Sequence, residues 1–405
     1  MGRGRPGAGV SELLFWCSVA FIAYSYLGFP ALAVLRGWLW RRPYTRADIT
    51  PDVSLIIVAH NEARGIAARL DNLLTLDYPR EQLEIIVASD GSADGTESIV
   101  AGYAEKGVRL FAYPRIGKIS ALNAAAAGAQ NQILVFTDAN SIFTPQALRA
   151  LVRPYADLTI GGVAGDQRFL RKGQISQEGV GERSYWDYER MLKVAESRAG
   201  NTLCASGALY AIRRSLFRPL PPAVTDDFCN STGVIAQGHR LVFEAEAVAY
   251  EQVAPSEVAE FRRKVRVITR GLQGVVVRRE LLNPLRYGFY SLQFLSHKVL
   301  RRLVFLPLLL LAVLAPVLWN QGVIYRIATI VQALLYAGAL LGYLNRHRRA
   351  GRNKLVALPF YFVLINLACI IAVTNLVRGR RIDLWEPTHN LAPVPGAPSN
   401  PESSR

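Results

Sequence analysis

The sequence predicts an α/β domain built on a mostly parallel sheet, joined to helices that cross a membrane. Three observations carry this. Between residues 50 and 255, apolar runs alternate with helical stretches, the pattern of repeated βαβ units. Several of those runs end directly in polar and acidic residues, and the carboxyl ends of strands in an open parallel sheet face one crevice. Outside that region lie four apolar stretches, each near the roughly 20 residues needed to cross a bilayer.

In chain order, residues 1–10 are rich in Gly, Arg and Pro and are expected to be a disordered tail. Residues 11–35 are the first membrane helix, with Glu12 before its apolar run and Arg36 after it. The run has no small-residue cleavage site and is long for a signal peptide, so it reads as an anchor. In the α/β region, 50–255, helices are expected at 63–76, 94–105 and 120–130. Strands are expected at 53–59, 84–89, 108–112, 132–137, 161–165 and 241–245. Residues 256–302 mix basic and apolar side chains as interfacial amphipathic helices do. Three further membrane helices fall within 303–377, at 303–319, 323–344 and 355–377. Residues 378–405 form a tail rich in Pro, Ser and Asn.

The chain has 405 residues, enough for one large domain and an accessory part. The net charge is +16, and the basic residues cluster beside the apolar stretches. Arg36, Arg41, Arg42 and Arg46 follow the first; Lys298, Arg301 and Arg302 precede the second; Arg346, Arg348, Arg349, Arg352 and Lys354 separate the third from the fourth. Positive flanks mark the cytoplasmic side and attract anionic lipid. The charge therefore reads as membrane orientation, with membrane lipids and not nucleic acid as partners. Four simple crossings would leave Arg378, Arg380 and Arg381 on the opposite side. A re-entrant span, membrane entry by residues 283–300, or a failure of the bias would each account for that. Cys17, Cys204, Cys229 and Cys369 are scattered and suggest neither a disulfide framework nor a zinc site.

The chemistry is concentrated after the strands. Asp138 and Asn140 stand at i and i+2, so both oxygens can face a bound Mg²⁺ or Mn²⁺ and its diphosphate, since hard cations take oxygen ligands. Asp90 ends a run on a Gly-containing turn, where a carboxylate can accept from a base N–H or ribose hydroxyls. Asp94 reads as a cap for the following helix. Lys118, after Gly117, can contact phosphate or base. Asp226 and Asp227 follow a Pro-rich loop, and such a pair suits general-base work: one carboxylate takes a proton while the other orients a hydroxyl.

Taken together, His60-Asn61-Glu62, the Asp-Gly-Ser-Ala-Asp-Gly-Thr run at 90–96, Gly117-Lys118 through Asn123, Asp138-Ala139-Asn140 and Thr225-Asp226-Asp227 resemble the ordered motifs of membrane-bound family 2 glycosyltransferases. The resemblance covers roughly 50–302 and most of the apolar remainder. It implies a GT-A domain and an inverting transfer from a nucleoside-diphosphate sugar, uridine-linked, to a lipid-linked or glycan acceptor at the membrane. By the same resemblance, His60, Asn61, Glu62, Asp90, Lys118 and Asp138 bind the donor, and Asp138 and Asn140 hold the metal. Asp227 is the base and Asp226 orients the acceptor.

Two positions depart from the pattern. Asn140 stands where the family has a second aspartate, which lowers the charge offered to a metal. The Gln-x-x-Arg-Trp motif of processive members survives only as Arg263 and Arg266, which are expected to face the leaving diphosphate or to lie on anionic headgroups. The missing Gln and Trp weaken the case for polymer synthesis. The expected protein is a multi-pass enzyme of the bacterial inner membrane with its catalytic domain cytoplasmic, acting in envelope glycan or glycolipid synthesis. The alternatives are a processive synthase secreting its product between the spans, and an inactive membrane scaffold or transporter.

Overall fold

The computed structural model describes residues 8–170, 177–252, 257–346 and 353–380. Most of both expected tails, 1–7 and 381–405, lies outside them. Eight strands form one sheet: β1 (Val53–Ala59), β2 (Leu83–Asp90), β3 (Val108–Tyr113), β4 (Ile133–Asp138), β5 (Ile142–Phe143), β6 (Ile160–Leu170), β7 (Tyr210–Arg213) and β8 (Arg240–Gln252). Their order is β3-β2-β1-β4-β7-β6-β8-β5. β1 runs parallel to β2 and β4, β2 to β3, and β6 to β8. β7 is antiparallel to both its neighbours, and β5 to β8. The order reverses beside β1, and that switch point is where an open α/β sheet leaves a crevice.

Every residue of β1 is buried, which explains why it reads as a continuous apolar run and not an alternating one. Val53, Leu55 and Ile57 face one core, Ile56 and Val58 the other. The helices that cover the sheet begin, after an N-terminal helix of α1 (Ala8–Ala23), a π-helical turn (Tyr24–Gly28) and α2 (Phe29–Leu39), with α3 (Ile66–Leu74), α4 (Thr96–Ala101), α5 (Lys118–Gly128) and α6 (Ala147–Val152). Leu70, Val100 and Leu148 from α3, α4 and α6 fill the first core; Ala121, Leu122 and Ala125 from α5 fill the second. The helix expected at 94–105 is shorter because Gly102 ends it.

Beyond the sheet come α7 (Gln177–Ala199), α8 (Asp226–Ala236), α9 (Glu257–Val277), α10 (Pro284–Tyr287), α11 (Phe289–Phe294), α12 (Phe305–Val317), α13 (Val323–Leu344) and α14 (Lys354–Val377). α2 docks on α7 so closely that a Cβ at Gly37 would lie 2.5 Å from the Ala195 carbonyl oxygen. Arg36 Nη1 donates to Ala199 O at 3.0 Å, fixing the same contact. Three described helices are long and apolar enough to cross a membrane: Gly9–Leu39, Val323–Leu344 and Lys354–Val377. The straight span expected at 303–319 is different. α12 has 13 residues, or roughly 20 Å of helix against about 30 Å of hydrocarbon. It continues from Phe289–Arg302 through a 52° bend, and the basic residues of that first limb masked its membership in an apolar pair.

Candidate active site

The loops after β1 and β2 are locked to each other. Asn61 adopts φ +53°, a left-handed conformation that Asn tolerates better than most residues. Its amide N–H donates to Ser92 Oγ at 3.1 Å, and its Oδ1 accepts from Ala93 N at 2.8 Å. His60 Nδ1 lies 2.8 Å from the Asp90 carbonyl oxygen. A carbonyl only accepts, so Nδ1 carries the proton and Nε2 accepts from Asn61 Nδ2 at 3.2 Å. Asp94 accepts from Thr96 N and Thr96 Oγ1 at the start of α4, and from Ala63 N across the gap. His60, Asn61 and Asp94 thus shape the crevice wall. Glu62 is buried, and burial first, then Asp138 and Asp94, push its pKa up to about 7.

Asp90 is fully buried. Its Oδ2 accepts from Arg115 Nη1 at 2.8 Å, and its Oδ1 from the amides of Ile116 and Gly117, both at 2.8 Å. The carboxylate therefore holds the loop that leads into α5. Lys118 begins that helix, and further along it the Asn123 side chain donates to Leu220 O at 2.8 Å and accepts from Leu220 N at 2.9 Å. Those bonds set the loop that precedes Asp226.

Three motifs far apart in sequence meet at Lys118. Its Nζ lies 2.8 Å from Asp138 Oδ1 and 3.2 Å from Asp226 Oδ1. Burial opposes the lysine charge, yet Asp138, Asp226 and Asp227 outweigh it and hold its pKa above the ordinary value. Gly207 makes room on the far side of Asp138: a Cβ there would lie 2.7 Å from Oδ2. Asp227 is the second residue of α8, and its Oδ1 accepts from its neighbour Phe228 N at 2.8 Å. Burial, then the adjacent Asp226, push its pKa up to about 6 against the pull of that amide and of Lys118. Asn140 is exposed at the rim of the same loop as Asp138.

Glu251, at the end of β8, was not anticipated. It accepts from Ser141 Oγ at 2.9 Å and Gln167 Nε2 at 2.6 Å. Burial and then Asp138 push its pKa up to about 7, while Ser141, Arg263 and Gln167 oppose. Arg263 of α9 is thus close enough for its charge to act on Glu251. Arg266 is half-buried, one turn further along. Arg69 and Arg115 were also missed, the first because one arginine in an amphipathic helix pattern reads as surface. Arg115 lies two residues before Gly117, so its proximity to a motif was the one available signal.

Among the described residues no group of three His, Cys, Asp or Glu is arranged to hold a metal ion. The donor set nevertheless fits a hard divalent cation completed by ligand oxygens. Asp138 is one-third exposed toward the crevice, and Asn140 offers an amide oxygen two residues on. Asp138, Asp226 and Asp227 crowd negative charge around one lysine, and added positive charge would relieve it.

Residues 54–220 match the family model described as glycosyl transferase family 2. A solved structure, the mannosyltransferase PcManGT from Pyrobaculum calidifontis in complex with GDP-Man and Mn²⁺, is similar with a TM-score of 0.68 and 25% identity, covering 91% of this chain and 100% of that one. A poly-β-1,6-N-acetyl-D-glucosamine synthase of Staphylococcus aureus (strain COL) is 24% identical over 273 residues, 64% of each chain. The probable glycosyltransferase YdaM of Bacillus subtilis (strain 168) is 28% identical over 250 residues, 56% of this chain and 57% of its own length. The chain thus spans less than two thirds of these curated relatives. Sheet order, motif loops and similarities agree on a GT-A domain. Residues 54–220 thus form a glycosyltransferase family 2 domain.

Proposed function

We propose that the chain transfers a sugar, with inversion, from a nucleoside-diphosphate sugar to a hydroxyl of a lipid-linked or membrane-associated glycan. The product is a cell-envelope glycan or glycolipid. The observation that supports this most is the Lys118 bridge, which gathers the donor, metal and base motifs within one side chain's reach. Asp227 takes the acceptor's hydroxyl proton as that oxygen bonds to the anomeric carbon. The bond from that carbon to the phosphate oxygen breaks, and the nucleoside diphosphate leaves with the electron pair. A base with a pKa near 6 is ionised at pH 7 and more basic than an exposed aspartate. Asp226, held by Lys118, orients the acceptor. Asp138 and Asn140 would hold a Mg²⁺ or Mn²⁺, which supplies charge neutralisation at the diphosphate. His60, Asn61, Glu62 and Asp90 form the donor side of the crevice.

Incubating membranes that carry the full chain with a panel of nucleotide-sugars tests this, with uridine- and guanosine-linked donors side by side. Consumption of one donor, with acceptor-dependent product, supports the reading. No consumption of any would favour a scaffold. A second reading, processive synthesis, is favoured by the similarity to the poly-N-acetylglucosamine synthase. Product length separates the two.

The contacts also support a membrane arrangement in which the basic clusters share one side. Near the α/β domain, Tyr24 bonds Ser296 at 2.7 Å and Phe29 packs on His297. From there α12 runs back beside α1, so that Leu314, Leu318 and Tyr325 surround Phe15 at the distal end. α13 then returns, and α14 lies along α9, with Gln273 donating to Arg380 O at 3.0 Å and Ile268 and Leu272 packed on Ala368 and Ala372. α9 carries Arg262, Arg263, Lys264, Arg266 and Arg270, so we place α14 in the near leaflet. Arg346, Lys354, Arg378 and Arg380 then face the catalytic side, in line with the positive-inside tendency. Impermeant thiol labelling of Asn345→Cys and Gly379→Cys should give the same sidedness for both; opposite sides would restore the fourth crossing.

A further inference from the structure

Arg69 is the largest fully buried side chain, 1% exposed, and it sits in α3 outside every motif discussed above. An ionised guanidinium is costly to bury unless its hydrogen bonds and charge are met. Here they are met by the two flanks of one loop. Nη2 donates to Thr137 Oγ1 at 2.9 Å, immediately before Asp138. Nη1 donates to Asn72 Oδ1 at 2.9 Å. Asn72 accepts from Phe143 N at 2.9 Å and donates to Phe143 O at 3.0 Å, immediately after the loop. The guanidinium carbon lies 4.1 Å from the centre of the Phe143 ring. Thr137 passes the constraint on by donating to Ala208 O at 2.7 Å, next to the glycine that flanks Asp138. Nε has no hydrogen-bond partner among the described residues, so the fork is spent on these contacts alone.

We infer that Arg69 is a positioning residue that clamps residues 138–142 at both ends and so fixes the relative placement of Asp138 and Asn140. The inference rests on the reading that those two residues hold a divalent cation. It carries a sign that charge alone does not. Arg69 is close enough to Asp138 and Glu251 for both to stabilise its charge, so removing a positive charge there should, by electrostatics, tighten cation binding. Loss of the clamp should weaken it, since a metal bound by two protein oxygens depends on their spacing.

The test is Mn²⁺ alone, titrated into the purified full-length protein and followed by the electron paramagnetic resonance of the free ion. Arg69→Met is expected to raise the dissociation constant about fivefold or more. Arg69→Lys, which keeps the charge and loses the fork, should also weaken binding. If Arg69→Met cannot be purified folded, Arg69→Lys carries the test. Leu73→Ala, in the same helix and core, serves as a control that lowers the melting temperature and leaves Mn²⁺ affinity unchanged. Unchanged or tighter binding in the Arg69 variants, or equal weakening in Leu73→Ala, overturns the inference. Asp138→Ala separates the two levels: if it binds Mn²⁺ like the wild type, the metal reading fails before the clamp is in question.

Discussion

Lys118 Nζ and Asp138 Oδ1 are 2.8 Å apart although twenty positions separate them in sequence. One lysine placed by the N-terminus of α5 thereby neutralises part of the carboxylate at the end of β4, and it reaches Asp226 as well. The pair makes the protonation of Asp227 depend on Lys118, because the ammonium is among the groups that hold the Asp227 pKa down.

Lys118→Met should therefore do more than lower the rate. Without the ammonium, the Asp227 pKa rises further above 6, so the acid limb of the pH–rate profile moves to higher pH. Turnover at pH 7 should fall on the order of 10²-fold, in the range of a lost electrostatic contact, and recover in part by pH 8–9. A uniform loss at every pH would mean that Lys118 acts only on the donor.

Asp227→Asn should abolish transfer and leave donor binding nearly intact, since it removes a base that typically contributes 10²–10⁴-fold. Stability provides a second readout. The folded pKa is raised from 3.8 to about 6, so the folded state binds more protons than the unfolded one between those values. The wild type loses stability as pH rises through that window. Asp227→Asn should then melt higher than wild type at pH 7, and the difference should vanish near pH 4. Activity retained in Asp227→Asn and lost in Asp226→Asn would move the base to Asp226.

Asp138→Ala should weaken donor binding and metal dependence together. Asn140→Asp should preserve activity and tighten metal binding by adding a charge. Turnover undiminished in strong chelator would remove the metal from both residues.

The motif loops after β1, β2 and β4 were legible because strands buried on both faces announce themselves as unbroken apolar runs. The roles inside the loops were less so. Asp90 was expected to meet a base or ribose, and nothing in its motif signalled that its carboxylate also accepts from Arg115, Ile116 and Gly117. Glu251 was invisible because a glutamate ending a 13-residue strand looks solvent-facing until β6 supplies Gln167 and the β4–β5 loop supplies Ser141. The bend between Arg302 and Phe305 was hidden for a similar reason. Hydropathy averages over a window, and Lys298 and Arg301, which lie against Phe228 and Glu189, count there as if they faced lipid.

The basic face of α9 offers the remaining test, since Arg262, Arg263 and Arg266 have different surroundings on one helix. Arg262 is exposed and Arg263 and Arg266 are half-buried. Arg263 is near enough to act on Glu251. If the helix served only to hold anionic headgroups, each charge would contribute about 1 kcal/mol, screened by salt within roughly 8–10 Å. Arg262→Ala and Arg263→Ala would then cause equal losses that track membrane association. We expect them to differ. In detergent without anionic lipid, Arg262→Ala should keep near wild-type turnover. Arg263→Ala should lose tenfold or more, with a salt dependence no steeper than wild type, because its partner is buried beside Asp138. Arg266→Ala should fall with Arg263→Ala if both face the leaving diphosphate, and with Arg262→Ala if they do not. Equal, small effects at all three positions would assign the segment to lipid.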